Sequence, residues 1–135
     1  MVIAISGGFD PIHIGHINLF KEASQYGDLY VIVNSDDWLI RKKGKYFMNF
    51  AERKTIIESI KYVKKVILAK DDDNSVCETL KQLKPNYFAN GGDRLANNTP
   101  ELNLCLELKI KPLFNIGGGK IQSSSELLAN YEKSL

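Results

Sequence analysis

Three glycine clusters, Gly7-Gly8, Gly91-Gly92 and Gly117-Gly118-Gly119, each follow a short apolar run and precede a stretch of helical periodicity. Few folds admit that order. A compact apolar run without alternation marks a strand buried on both faces, as in a parallel sheet. The runs here are Val2 to Ile5, Leu29 to Val33, Val66 to Leu68, Tyr87 to Ala89 and Pro112 to Ile116. Between and after them, apolar residues recur at spacings of three and four, as in Ile17, Phe20 and Ala23, or Val76, Leu80 and Leu83. The same spacing covers Ile56, Ile57 and Ile60, then Leu102, Cys105 and Leu106, and finally Leu127, Leu128 and Tyr131. Start signals stand where helices should begin: Asn49 before Glu52, Ser75 before Glu78, Thr99 before Pro100, and Ser123 before Glu126. Gly27 is expected to close the first helix. The pattern predicts a single-domain Rossmann-like α/β fold, an open parallel five-stranded sheet with helices on both faces. Eight of the ten glycines (7, 8, 15, 91, 92, 117, 118 and 119) fall in or beside its strand-to-helix turns, and the opposite edge is expected to lack them. Those turns form the carboxyl edge, where such sheets bind ligands.

One domain is also what 135 residues accommodate. With 44% hydrophobic residues the chain can build a core without staples. Eighteen basic against sixteen acidic side chains leave a net charge of +2. So balanced a surface gives no general pull toward nucleic acid or an anionic membrane, and any attraction for phosphate has to be local. Two cysteines, Cys77 and Cys105, are too few for a disulfide framework or a four-thiolate zinc site, and they read as buried small hydrophobes. Met1 to Ile5 is apolar but lacks a basic leader, and no apolar stretch approaches the roughly 20 residues of a bilayer span. The expectation is a soluble, cytoplasmic protein with neither nucleic-acid nor membrane partners.

The strongest chemical signal is Gly7-Gly8-Phe9-Asp10-Pro11-Ile12-His13-Ile14-Gly15-His16. It follows a strand and opens a helix, the context of a phosphate-binding turn. The only two histidines are here, three apart on the first helical turn, where the helix end is positive. No third histidine or nearby cysteine completes a metal set, so the pair points to phosphate. Arg41-Lys42-Lys43-Gly44-Lys45 is the one dense basic cluster. Alone it would be a solvated loop or a weak nucleic-acid patch. After the second strand of this fold it is expected to be a mobile clamp on phosphates. Ser123-Ser124-Ser125 both caps the last helix, through Ser123 and Glu126, and offers hydroxyls to a phosphate. Asp71-Asp72-Asp73 reads as a solvated loop without function.

His13-Ile14-Gly15-His16 resembles the HxGH signature of the cytidylyltransferase-like nucleotidyltransferases, and Gly8-Phe9-Asp10 resembles the residues that precede it there. The resemblance runs nearly the whole length. It includes Asn34-Ser35-Asp36-Asp37 after the second strand, Glu52-Arg53-Lys54 at the next helix, Asn90-Gly91-Gly92-Asp93 after the fourth strand, and the serine triplet. The same four letters occur in class I aminoacyl-tRNA synthetases, for which this chain is too short. Two positions depart from the family: Gly8 stands where many cytidylyltransferases have threonine, and Gln122 replaces the usual isoleucine before a Ser-Thr-Thr-type signature.

The resemblance implies an acceptor phosphate or phosphonate oxygen attacking the α-phosphorus of a nucleoside triphosphate in line, with pyrophosphate leaving. The attacking oxygen is already anionic, so alignment and charge neutralisation suffice. His13, His16 and Lys42 would be catalytic. Gly7, Gly8, Phe9, Asp10, Gly15, Asn90, Gly91, Gly92, Asp93, Ser123, Ser124 and Ser125 would bind the nucleotide, and Lys43, Lys45 and Arg53 the substrate. Mg²⁺ would bridge the phosphates, and Asp10 would either orient the turn or serve the metal. CTP is the favoured donor, on the resemblance to glycerol-3-phosphate cytidylyltransferases. ATP with a sugar phosphate, as in the adenylyl-transferring part of ADP-heptose synthases, is the alternative enzyme, and a nucleotide-binding module without turnover is the other class. Pairing as a homodimer is the family's habit.

Overall fold

The carboxyl ends of five parallel strands meet along one edge of the molecule, and their order sets what that edge can hold. The computed structural model describes residues 1–91, 100–117 and 124–134. Its elements in chain order are β1 (Val2–Gly7), α1 (Ile14–Ala23), β2 (Asp28–Val33), α2 (Asp36–Lys43), α3 (Phe50–Glu58) and β3 (Lys65–Leu68). There follow α4 (Cys77–Leu83), β4 (Tyr87–Gly91), α5 (Pro100–Leu108), β5 (Lys111–Ile116) and α6 (Ser124–Ser134). The sheet runs β3-β2-β1-β4-β5, with β1 paired to β2 from Val2 opposite Asp28 through Gly7 opposite Val33. The chain thus builds outward from β1 through β2 to β3, then returns to lay β4 on the other flank of β1. That reversal opens a crevice outside the carboxyl ends of β1 and β4, the place where open α/β sheets take ligands.

Alternation along each strand separates two cores. Ile3 and Ile5 of β1, with Leu29, Val31 and Val33 of β2, face Phe20 and Ala23 of α1 and Ile57 of α3. Ala4 and Ile32, pointing the other way, join Val76, Leu80, Phe88, Leu104 and Cys105 beneath α4 and α5. Helices therefore cover both faces, as expected. Cys105 is a buried core residue, but Cys77 is only half-buried. Among the described residues no helix is long and apolar enough to cross a membrane.

Three expectations need correction. The basic cluster is not a loop. Its Arg41, Lys42 and Lys43 form the last turn of α2, which Ser35 caps by accepting from the Trp38 N–H at 3.0 Å. Gly44 ends that helix at φ 85°, a left-handed conformation that glycine adopts without strain. Ser75 is not the N-cap residue of α4, which starts at Cys77 behind Val76, although its hydroxyl accepts from the Cys77 N–H at 3.3 Å. Glycine is also not confined to the carboxyl edge, since Gly27 lies just before β2 against the Met1 carbonyl.

Asp71 is the larger surprise. Its carboxylate is 2% exposed and accepts from Asn34 Nδ2 at 3.1 Å, the Ser35 N–H at 2.8 Å and Ser35 Oγ at 2.7 Å. Arg41 donates to the Asp71 carbonyl at 2.7 Å and lies 3.9 Å from its carboxylate. The loop after β3 is therefore clamped to both ends of α2. Replacing Asp71 with alanine strands three donors in a dry place. We expect Asp71→Ala to cost about 2–4 kcal/mol in urea unfolding, and a loss below about 0.5 kcal/mol would return Asp71 to the solvated surface.

Candidate functional site

The turn after β1 is held from below by one side chain. Arg53, in the first turns of α3, is 1% exposed. Its Nη1 donates to the carbonyls of Gly8 at 2.9 Å and Asn34 at 2.8 Å, Nε donates to Met48 O at 3.0 Å, and Nη2 meets Asp36 Oδ1 at 2.6 Å. Trans peptide planes set C=O and N–H on opposite sides. Drawing the Gly8 carbonyl toward Arg53 therefore turns the Phe9 N–H away from it. The Gly7 carbonyl likewise accepts from the Asn34 N–H at 2.9 Å on the β2 side, which directs the Gly8 N–H toward the β4 side and the crevice.

Phe9 carries this turn at φ 52°, a left-handed conformation that costs a non-glycine residue about 1–2 kcal/mol. The burial of its ring, 4% exposed, offsets that cost. The ring packs edge-on to Phe20 and to His16, with centroids 5.5 and 4.9 Å away. Phe9 therefore serves the site through its backbone, while its ring supports His16 from below. Asp10 does not face the crevice. It is 1% exposed, and its two carboxylate oxygens accept from the N–H groups of Phe47 at 2.6 Å and Met48 at 2.7 Å. Of its two expected roles the structure supports orientation: Asp10 ties the turn to the loop that carries Lys45.

His13 and His16 open α1 as a reciprocal cap. His13 Nδ1 accepts from the Gly15 N–H at 3.1 Å, and His16 Nδ1 accepts from the His13 N–H at 3.1 Å. A neutral imidazole that accepts at Nδ1 carries its proton on Nε2. His16 thus carries its proton on Nε2, and the two rings stack 3.8 Å apart with 26° between their planes. Gly15 is required for space: a Cβ there would lie 2.9 Å from the His13 ring. Burial, and then the neighbouring His13, push the His16 pKa down from 6.5 to about 3. A charged His16 would also set a proton on Nδ1 against the His13 N–H. His16 is held as a neutral ring at a positive helix end.

The remaining expected residues fall into three groups. Lys42 and Lys43 are exposed on the last turn of α2, with the Lys42 ammonium 4.7 Å from the centroid of the Trp38 ring. Lys45 meets Glu132 of α6 at 3.3 Å across solvent, a contact of small energetic weight. Asn90 and Gly91 end β4 on the crevice side, beside a register irregularity, and Ser124 and Ser125 begin α6. Gly92, Asp93 and Ser123 lie outside the described residues. Arg53 is the correction. With its side chain fully buried and each nitrogen bonded to protein, it braces the site and does not face a substrate.

Among the described residues no group of three or more His, Cys, Asp or Glu could hold a metal ion. The carboxylates near the turn, Asp10 and Asp36, are engaged by backbone amides and by Arg53.

Arg53→Lys should lower the melting temperature by roughly 10 °C, since one ammonium cannot meet four partners and about 2–3 kcal/mol is lost. A variant with unchanged melting but weakened phosphate binding would return Arg53 to the substrate. His16 also links stability to pH. Between pH 6.5 and about 3 only the unfolded chain protonates this ring, so its contribution is complete above pH 6.5 and is lost as the pH falls toward 3. Urea unfolding across that window should show a slope that His16→Asn reduces; equal slopes would mean that His16 titrates normally in the fold.

Comparison with known proteins agrees with the geometry. Residues 4–112 match the family model described as cytidylyltransferase-like. An FAD synthase of Pyrococcus abyssi is 37% identical over 94 residues, 68% of this chain and 63% of that protein. A glycerol-3-phosphate cytidylyltransferase of Bacillus subtilis is 41% identical over 66 residues, 48% of this chain and 51% of that protein. This chain therefore aligns with less than two thirds of the length of either relative. A lipopolysaccharide core biosynthesis protein of Thermoplasma volcanium superposes with a TM-score of 0.69 at 26% identity, over 85% of this chain and 93% of that one.

Proposed function

Because the chain belongs to the cytidylyltransferase-like family, we propose that it is a nucleotidyltransferase joining a nucleoside monophosphate to a small phosphorylated acceptor. One observation carries the reading: His13 and His16 open α1 as a reciprocal cap locked through Nδ1, with His16 neutral, beside a turn whose Gly8 N–H is directed toward the β4 side. An acceptor oxygen forms a bond to the α-phosphorus, the bond to the β-phosphate oxygen breaks, and the electron pair leaves with pyrophosphate. Charge grows on that departing oxygen. Neutral N–H donors held in place strengthen with it and need no reorganisation. His13 and His16 supply those donors, Gly8 and Phe9 hold phosphate oxygens through backbone N–H, and Lys42 brings a mobile positive charge.

Magnesium enters this reading with the triphosphate. Mg²⁺ commonly rides on substrate phosphates with few protein ligands, which suits a turn whose carboxylates are already engaged. When bound, it neutralises charge on the phosphates.

Two donors have support. The longer alignment, with a protein named for making FAD, favours ATP. The shorter and more identical one, with a glycerol-3-phosphate cytidylyltransferase, favours CTP. Pyrophosphate release from ATP or CTP with a panel of phosphate monoesters decides between them. In the productive pair, His16→Ala should lower kcat at least about 100-fold while KM stays within a few-fold, since the contact strengthens only as charge moves. Unchanged turnover in that variant would remove His16 from the chemistry. Nucleotide binding by calorimetry without pyrophosphate from any pair would make the protein a binding module.

A further inference from the structure

The indole of Trp38 stands beside the phosphate turn in a role that the transfer chemistry above leaves open. Trp38 is the single tryptophan of the chain and is half-buried on α2. A Cβ built on Gly8 would lie 3.7 Å from its Cζ3 and 3.1 Å from Leu39 Cδ2. Because Gly8 has no side chain, the edge of the ring borders the turn directly. One helical turn on, the Lys42 ammonium rests 4.7 Å from the ring centroid. An aromatic face and a cation thus occur together at the turn, and Asp71 and Arg41 hold the helix that carries them.

Topology says which substrate they serve. The crevice at the strand reversal lies on the β4 side of β1, toward which the Gly8 N–H is directed. Trp38 belongs to the helix after β2, on the other side of the same turn. In-line displacement places the acceptor on the side of the α-phosphorus opposite the leaving pyrophosphate, so the acceptor needs a subsite distinct from the one that holds the leaving phosphates. If the triphosphate occupies the crevice, the indole borders what remains.

We propose that Trp38 and Lys42 form the acceptor half of the site, and that they select a phosphate monoester whose organic group presents a ring face over an open-chain one. The ring lies on the indole, and the acceptor phosphate takes the ammonium that otherwise rests there. An indole gives a ring-bearing ligand a large rigid contact at little entropic cost, whereas an open chain leaves most of that face uncovered. This inference rests on the transferase reading.

Calorimetry with three probes tests it: flavin mononucleotide (a flat heterocycle), glucose 1-phosphate (a sugar ring) and glycerol 3-phosphate (an open chain). At least one ring-bearing probe should bind ten times or more tighter than glycerol 3-phosphate. Trp38→Ala should remove that advantage, Trp38→Phe should restore part of it, and Lys42→Met should weaken all three probes alike. Equal binding of the three probes, or a ring preference that survives in Trp38→Ala, overturns the proposal. So does Trp38→Ala weakening ATP or CTP in place of the acceptors, because the indole would then belong to the nucleotide. Pyrophosphate release in the same mixtures judges the transferase reading separately: binding of a ring-bearing probe through Trp38 without release upholds the pocket and defeats the enzyme.

Discussion

A single buried guanidinium connects three segments that are distant in sequence. Through Arg53 the Gly8 turn, the end of β2 at Asn34 and the Met48 loop share one set of hydrogen bonds, and Asp36 supplies the compensating charge at 2.6 Å. Burying an arginine is costly unless its donors are met and its charge is paired, and here both conditions hold. The arrangement also fixes direction. A carbonyl drawn inward turns the N–H of the same peptide outward, so the interior of α3 sets the polarity of the phosphate turn. A lysine at this position would supply charge without the fork that spans several acceptors.

Above that brace, the role proposed for the two imidazoles rests on position more than on charge. A cationic histidine would attract a triphosphate in the ground state as strongly as in the transition state, which improves binding without improving rate. The cap geometry and the desolvation that keeps His16 neutral favour the other use, a donor whose bond strengthens as the departing oxygen gains charge. The Phe9 ring beneath His16 takes part in that desolvation, so its strained backbone conformation and its buried ring serve one purpose.

The five strands and most of the helices were legible because each apolar run is bounded by turn residues and each buried helix face recurs at three and four. α2 was missed although its signals are present: Ser35 as cap, Asp36 and Asp37 in the first turn, basic residues in the last, and Gly44 after it. The eye takes Arg41 to Lys45 as a charge cluster because α2 buries only Leu39 and so shows no apolar stripe. Arg53 sits four residues before Ile57, on the buried face of α3, and that spacing could have placed it inside. Nothing local marks Asp71 as buried. Its partners Asn34, Ser35 and Arg41 come to it only through the pairing of β2 with β3, a tertiary fact.

Charge placement bears on how a chain with a net charge of only +2 would receive the proposed polyphosphate. Among the described residues, three buried or half-buried carboxylates at this edge are compensated: Asp10 by two backbone amides, Asp36 by Arg53, and Asp71 by Ser35, Asn34 and Arg41. The same pairing occupies two of the nearby arginines, because Arg53 is interior and Arg41 is held against the Asp71 loop. Among the described residues, the lysines at the end of α2 stay exposed, and in the proposed reaction their long stems and single-point ammonium groups would follow a moving phosphate. In the proposed site, rigid cations shape the protein side and flexible ones would face the ligand. That division lets the fold hold its turn in one geometry while the charge meeting the phosphates stays free to move with them.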